Sequence, residues 1–396
     1  MSLCFFCNFF SLHIVYFSRV ISKEGKIKNF TCPYCIRKYN KTKVLYVCPE
    51  PCGFSSKKYL FEKEPVKCKI SGCGGYATNR KCPYCGSDIP KPTLETPNLP
   101  FSIVGLPGSG KTNYITVMLH ELSRASNLKL ALSSQNRFTK EHQEMNYNLI
   151  YEKHRVPEAT AAAQAGGLSS PQIWKIGNLQ KKSRNHVPTY TFTIFDGAGE
   201  DYENRLDMTS TVCRYINISK AVIITLDPLM LPSINKGNFI DPEVIKNSGG
   251  YSNKVKNSAE VVNNLATYIK SASGIKDTKR LSIPVAIVLT KFDTILSHKF
   301  FATNALIKNP SLNVINNKIN MNEFVQVDRE IRNWLYAINE GNFIDALSLN
   351  FKVFCFFGVS SYGQPPTAMG KLCDNIQPHR VLDPILWLFK KARFID

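Results

Sequence analysis

One twelve-residue run constrains this chain more than any other: Phe101-Ser-Ile-Val-Gly-Leu-Pro-Gly-Ser-Gly-Lys-Thr112. Four residues suited to a buried strand lead into the pattern GxxxxGK[ST], and a helical stripe of Ile115, Met118, Leu119 and Leu122 follows. In that strand-loop-helix setting Gly105, Pro107, Gly108, Ser109 and Gly110 form a loop whose backbone N–H groups converge on a β-phosphate. Lys111 reaches the β and γ oxygens, and the Thr112 hydroxyl takes a Mg²⁺ position.

Three further segments follow in an order that suits one sheet. Tyr190-Thr-Phe-Thr-Ile-Phe-Asp196-Gly-Ala-Gly199-Glu200 is an apolar strand ending in a carboxylate. Asp196 is placed to hold Mg²⁺, and the Gly199 N–H to sense a γ-phosphate. Val285 to Leu289 is a second apolar run, closed by Thr290-Lys291-Phe292-Asp293. An Asp carboxylate there accepts both guanine N1–H and the exocyclic amine, a donor pair that adenine lacks, while the Lys291 stem lies along the base. Phe351 to Phe357 runs into Gly358-Val-Ser360-Ser361, where a backbone N–H near Ser361 meets guanine O6. All these loops open at the carboxyl ends of their strands, where an open α/β sheet binds its ligand. Thr160, before an Ala-rich stretch, is the candidate second Mg²⁺-contacting threonine. Arg155 reads either as a cis arginine finger or as an ordinary exposed loop residue.

Apolar runs at 101–104, 190–195, 221–226, 285–289 and 351–357 read as buried parallel strands. Helical stripes separate them, at Val261, Leu265, Tyr268 and Ile269, and at Phe324, Val327, Ile331, Trp334, Leu335 and Ile338. The expected fold is therefore α/β: a P-loop GTPase-type, mostly parallel sheet flanked by helices, over residues 101–396. A last helix runs from about Val381 to Phe394. KPTLETPNLP (91–100) holds three prolines among few apolar residues and reads as an extended linker, while 159–167 and 229–257 read as surface insertions.

Ahead of the linker the chain changes character. Of thirteen cysteines, ten lie in the first 85 residues. Eight of them form four knuckles between residues 30 and 90: Cys32/Cys35, Cys48/Cys52, Cys68/Cys73 and Cys82/Cys85. Paired thiols at this spacing, in a chain without a convincing export signal, point to Zn²⁺ in a reducing cytoplasm rather than to disulfides. Four knuckles can make two Cys₄ sites in three ways. The simplest pairs neighbours, Cys32, Cys35, Cys48 and Cys52 around one ion and Cys68, Cys73, Cys82 and Cys85 around the other, with 43–47 as a hairpin strand. Both sites are closed and hence structural. Cys4 and Cys7 fall in an apolar segment, 3–17, within the N-terminal stretch 1–29. That segment is short for a membrane span, and packing, membrane or partner contact, and export stay open for it.

Apolar residues make up 43% and charged residues 20%, which excludes collagen-like, disordered and polytopic membrane proteins. Fifty Lys and Arg against thirty Asp and Glu leave a formal charge of +20, which draws a protein toward phosphates and acidic partners. Residues 1–97 hold sixteen basic and six acidic side chains, leaving thirty-four and twenty-four beyond. Lys57, Lys58, Lys63, Lys67, Lys69 and Lys81, with Tyr34, Tyr46, Tyr59 and Tyr84, give the Cys-rich segment a basic, aromatic surface. Protein docking ranks first for it, scaffolding second and nucleic acid third.

GLPGSGKT, DGAGE, TKFD and GVSS resemble the first, third, fourth and fifth motifs of the TRAFAC class of translation-factor-like and Ras-like GTPases. The paired CPYC knuckles, ITLDPLMLP and the closing HRVLDPILWL resemble more specifically the bacterial double-GTPase family. The resemblance implies a GTP/GDP-binding switch with Mg²⁺, acting with a second GTPase and an activating protein in a bacterial conflict or defence system. Two departures qualify it. Glu200 stands where Ras-like proteins have a water-orienting Gln, and its charge near a γ-phosphate implies slow intrinsic hydrolysis; Thr290 replaces the usual Asn. A P-loop ATPase, and a non-hydrolysing assembly module docking through its zinc ribbons, are the alternative functions.

Overall fold

The structure is a computed structural model that describes residues 29–57, 65–105, 108–157, 170–196, 211–236, 257–297, 301–315, 318–367 and 369–395. The segments 1–28 and 159–167, and Lys58, Tyr59 and Lys63, lie outside the described residues. The chain divides into two units: Met1–Cys32 with Arg37–Ile89, and Pro90–Asp396 with Pro33–Ile36.

The second unit is built on seven strands: β1 Asn98–Gly105, β2 Leu130–Ser134, β3 Gln172–Asn178, β4 Thr189–Asp196, β5 Ala221–Leu226, β6 Val285–Leu289 and β7 Phe354–Gly358. Their order across the sheet is β7-β6-β5-β1-β4-β3-β2. The five strands from β7 to β4 run parallel, and β3 pairs antiparallel with both β4 and β2. The α/β, P-loop GTPase-type, mostly parallel sheet expected from the sequence is thus present. Successive residues of a strand face opposite sides, so β5 and β6, apolar at nearly every position, feed two cores. Val222, Ile224, Ile287 and Leu289 pack with helices Ser258–Ala272, Met321–Ala337 and Gly341–Asn350. Ile223, Ala286 and Val288 pack on the other face with α1, Lys111–Arg124, and the last helix, Asp383–Lys391. The helical stripes read from sequence lie inward, with Val262 rather than Val261 buried in its helix.

Two expectations fail here. The segment 229–257, read as a surface insertion, begins with the helical pieces Pro228–Met230 and Pro232–Lys236, which place Leu229, Leu231 and Ile234 in the core, while 237–256 lie outside the described residues. Residues 91–100 are not an extended linker: Lys91–Glu95 is a short helix with Pro92 in its first turn, and β1 begins at Asn98. Proline is tolerated in a first helical turn, where no intrahelical N–H bond is lost. The strands β2 and β3 went unread. LALSS is half exposed along its length, and Lys175 interrupts the apolar run of QIWKIGN.

The Cys-rich unit consists of short antiparallel pieces. Leu45–Val47 lies between Ser55–Lys57 and Asn79–Lys81, while Asn29–Thr31 pairs with Lys38–Asn40 and Val66–Lys67 with Tyr76–Ala77. Its apolar interior is small, with Val44, Tyr46, Phe54, Val66 and Ala77 among the few buried side chains.

Candidate functional site

The β1–α1 connection has the geometry of a phosphate loop. Gly108 and Gly110 take φ of 76° and 74°, the left-handed region that favours glycine, and α1 starts at Lys111 directly after Gly110. Gly105 is needed for another reason: a Cβ there would lie 2.0 Å from Thr225 Oγ1 and 2.8 Å from the Thr225 carbonyl. Ser109 Oγ and Thr225 Oγ1 are 2.9 Å apart in the interior, so the loop is tied to the end of β5. We expect Gly105→Ala to displace this backbone at a cost of about 1–3 kcal/mol, read as a lower urea midpoint together with weaker nucleotide binding. Lys111 Nζ donates to the Gly105 carbonyl at 2.9 Å, which folds the ammonium over the loop. Leu106 and Pro107 lie outside the described residues.

The base loop is joined to the phosphate loop by one side chain. Thr290 Oγ1 donates to the Ser109 carbonyl at 2.7 Å, and the Thr290 N–H to the Leu226 carbonyl at 2.9 Å. The threonine that replaces Asn therefore makes a direct tie between the two loops. Lys291 has φ of 48°, and its ammonium meets Asp227 Oδ2 at 2.7 Å. Asp293 is half-buried; burial pushes its carboxyl upward, Asp227 adds to that, and a hydrogen bond from Ser360 opposes it. Ser360 in turn accepts the Gly363 N–H at 2.8 Å, and the Phe292 N–H donates to the Val359 carbonyl at 3.0 Å. The sheet thus brings together Gly105, Gly108, Ser109, Gly110, Lys111 and Thr112 with Thr290, Lys291 and Asp293, and with Ser360 and Ser361, at the carboxyl ends of β1, β6 and β7.

Asp196 ends β4 opposite Ile103, so its backbone stands beside the strand that carries the phosphate loop. Its side chain, and Thr160, Gly199 and Glu200, lie outside the described residues. Arg155 is exposed, and its backbone bridges Lys371.

Sequence reading overlooked Asp227. It is 3% exposed, caps the turn Pro228–Met230 by accepting the Leu229 N–H, and holds Lys291 with its other oxygen. An Asp-Pro directly after a strand apolar at five of its six positions is the signal that was available. Charged hydrogen bonds contribute about 1.5–3 kcal/mol. Asp227→Asn should therefore weaken nucleotide binding by about tenfold, measured by titration with a fluorescent nucleotide analogue.

The eight cysteines form two groups, but not the neighbouring ones. Cys32, Cys35, Cys82 and Cys85 lie together, as do Cys48, Cys52, Cys68 and Cys73, with all ligand atoms in each group within 4.8 Å of one another. The sequence-local pairing is thereby corrected: the knuckles are nested. The cause is strand direction. Leu45–Val47 enters Cys48 and antiparallel Asn79–Lys81 enters Cys82, so these knuckles leave the small sheet at opposite ends. Sγ–Sγ separations are 3.8 Å for Cys32–Cys85, 3.7 Å for Cys48–Cys73 and 3.7 Å for Cys52–Cys68. Tetrahedral Zn²⁺ with Zn–S near 2.3 Å requires about 3.8 Å, whereas a disulfide requires about 2.05 Å. Burial pushes the Cys82 thiol up, but hydrogen bonds from Tyr39 and from the backbone at Tyr84 and Cys85 outweigh it and bring it to about 7, whereas in the other group burial pushes Cys48 up to about 12 and Cys68 upward as well.

Fold and loop geometry together define a P-loop nucleotide-binding domain of the GTPase type, joined to a unit whose cysteines can hold two metal ions. No protein-family model matches the chain. Over 331 residues it is 22% identical to a Mycolicibacterium smegmatis protein described as the putative ESX-1 scaffolding and assembly protein SaeC, covering 78% of each chain. Among solved structures it is similar to the S. cerevisiae Ski7 GTPase-like domain bound to GTP, at 14% identity and a TM-score of 0.29, over 67% of this chain and 43% of that one. It is also similar to the LeoA bacterial dynamin GTPase from ETEC, at 12% identity and a TM-score of 0.27, over 76% and 34%. The chain spans less than half the length of both solved chains. Among the described residues, no helix is long and apolar enough to cross a membrane.

Proposed function

We propose that this protein is a GTP-binding molecular switch that hydrolyses GTP slowly, with Mg²⁺ at Thr112 and Asp196 and Zn²⁺ in two structural Cys₄ sites. The observation that carries the base assignment is the Asp293 carboxylate, oriented by Ser360 on a loop that Thr290 ties to Ser109. A carboxylate so held accepts two guanine donors and offers adenine nothing equivalent. Lys111 then neutralises phosphate charge, and Thr160 with the Gly199 region supplies the segments ordered by a γ-phosphate. Glu200, unlike a Gln, does not orient water readily, which makes an activating partner part of this reading. The resemblance of the motifs supports a second GTPase or an activator as that partner, in a bacterial conflict system.

A second reading has one observation in its favour. The M. smegmatis relative, matched along 78% of each chain, is described as a scaffolding and assembly protein. In that reading GTP stays bound as structural glue and the Cys-rich unit docks.

Extraction of bound nucleotide, followed by GTP and ATP turnover in wild type, Lys111→Ala and Asp293→Asn, tests both. The switch predicts slow Mg²⁺-dependent GTP turnover, and guanine-nucleotide binding weakened about a hundredfold, some 2.7 kcal/mol, in each variant. GTP retained for hours without turnover supports the assembly module. Equal ATP binding, with no effect of Asp293→Asn, removes the guanine assignment.

A further inference from the structure

The basic excess of the second unit is concentrated at one end of the sheet. Seven stretches enter or leave the sheet at the end opposite the phosphate and base loops: 90–97 before β1, 125–129 before β2, the β3–β4 hairpin 179–188, 219–220 before β5, 273–284 before β6, 351–353 before β7, and 390–395 after the last helix. They share that end because β1, β4, β5, β6 and β7 all run toward the nucleotide loops. Direct contacts confirm the placement. The Leu179 N–H donates to the Lys129 carbonyl, the Lys220 N–H to the Pro100 carbonyl and the Lys352 N–H to the Leu281 carbonyl. Phe394 packs on Tyr190, with ring centroids 4.7 Å apart. These stretches contain thirteen of the thirty-five Lys and Arg of residues 90–396 but, among their described residues, two of the twenty-five acids, Glu95 and Asp277. The rest of the second unit is close to neutral.

We infer that this end of the sheet is a docking surface for the phosphate backbone of a nucleic-acid duplex. The basic groups are strung along the row of strand ends, with Lys352 and Arg280 at one edge, Lys220 in the middle, and Lys181, Lys182 and Arg184 on the exposed hairpin toward the other. Six strand spacings of about 4.8 Å give the row a length of about 29 Å, matching roughly eight base pairs at 3.4 Å each. The sheet twists by about 20–25° per strand, so the row winds instead of lying in a plane. A winding row of cations follows a helical polyanion better than a flat lipid surface. The exposed apolar residues near this end are the isolated Leu179 and Leu349, and no exposed Phe, Tyr or Trp lies in these stretches. A single strand stacks its bases on aromatic rings, and a duplex needs none. The nucleotide loops lie one strand length away, so both ligands fit at once.

The test is fluorescence anisotropy of the full chain with a labelled mixed-sequence 20-base-pair duplex over a salt series. Two variants remove parts of the row, Lys181→Glu/Lys182→Glu/Arg184→Glu and Arg280→Glu/Lys352→Glu. A third, Lys67→Glu/Lys69→Glu, changes the Cys-rich unit alone. Wild type should bind with log K falling by about 0.9 per phosphate contact for each decade of salt. The first two variants should bind at least tenfold more weakly and with shallower slopes, at an unchanged unfolding midpoint, while the third binds as wild type does. Wild-type failure to bind the duplex overturns the inference, as does equal binding by the hairpin variant, or loss only in the Cys-rich variant. Binding to phosphatidylserine vesicles in place of the duplex overturns it in favour of a membrane.

Discussion

Replacing Cys35 and Cys82 together by serine should leave one zinc ion per chain, whereas replacing Cys35 and Cys52 together should leave none. The nested grouping puts the first pair in one site and the second pair in both. Under neighbour pairing the two outcomes exchange, so metal analysis of purified variants decides between them. Loss of one ligand from a Cys₄ site is severe because structural Zn²⁺ contributes about 10–16 kcal/mol in small domains, more than a domain's usual net stability. The buried apolar set of this unit, centred on Val44, Tyr46 and Val66, is too small to replace the ion. A chelator should therefore unfold residues 29–89, with new protease cleavage confined to them, while nucleotide binding by the second unit persists. Cleavage spreading equally through both units would show that they do not fold separately.

What was legible in the sequence followed from local chemistry with a single geometric solution. The phosphate loop reads directly because its glycines, lysine and threonine are needed at fixed spacing. β1, β5, β6 and β7 read directly because strands buried on both faces are nearly continuously apolar, and β4 because Tyr190, Phe192 and Ile194 alternate with threonines. β2 is the sheet's edge strand, partly exposed along its whole length, so its apolar signal thins, while β3, buried except at Lys175, is masked by that lysine and by the polar Gln172 and Asn178 at its ends. The knuckle pairing was illegible for a different reason. Spacing shows which two cysteines share a turn, but only the antiparallel register of Leu45–Val47 and Asn79–Lys81 shows which turns share an ion. Asp227 was hidden in the same way: its role depends on Lys291, sixty-four residues on, reaching it across β5 and β6.

The other large effect is expected at Arg380, in the closing HRVLDPILWL segment, which is joined to the base loop. Its side chain is 1% exposed, and Glu323 and Asp383 meet it at 2.6 Å and 2.7 Å. It also donates to the carbonyls of Leu306 and Asn309. One guanidinium thus faces two buried carboxylates, and Arg380→Met leaves both without a counter-charge, at a cost of about 3–5 kcal/mol. Burial, opposed by Arg380 and the Ser311 hydroxyl, places the Asp383 carboxyl at about 6, above the roughly 3.9 of an unfolded chain. The native state therefore binds more protons than the unfolded state between those values, and stability rises as pH falls through about 6 toward 4. Removing Arg380 raises that carboxyl further, so acidification should recover part of the variant's loss, which urea unfolding at neutral pH and near pH 5 measures. Arg380→Lys, keeping the charge without the fork, should fall between. Ser360 and His379 are joined by reciprocal backbone bonds of 3.0 Å and 2.8 Å, so the triad holds the strand segment that presents Ser360 to Asp293. At equal loss of stability, Arg380→Met should then reduce GDP affinity more than a cavity such as Leu388→Ala, and equal affinities would show that the triad supports the fold alone.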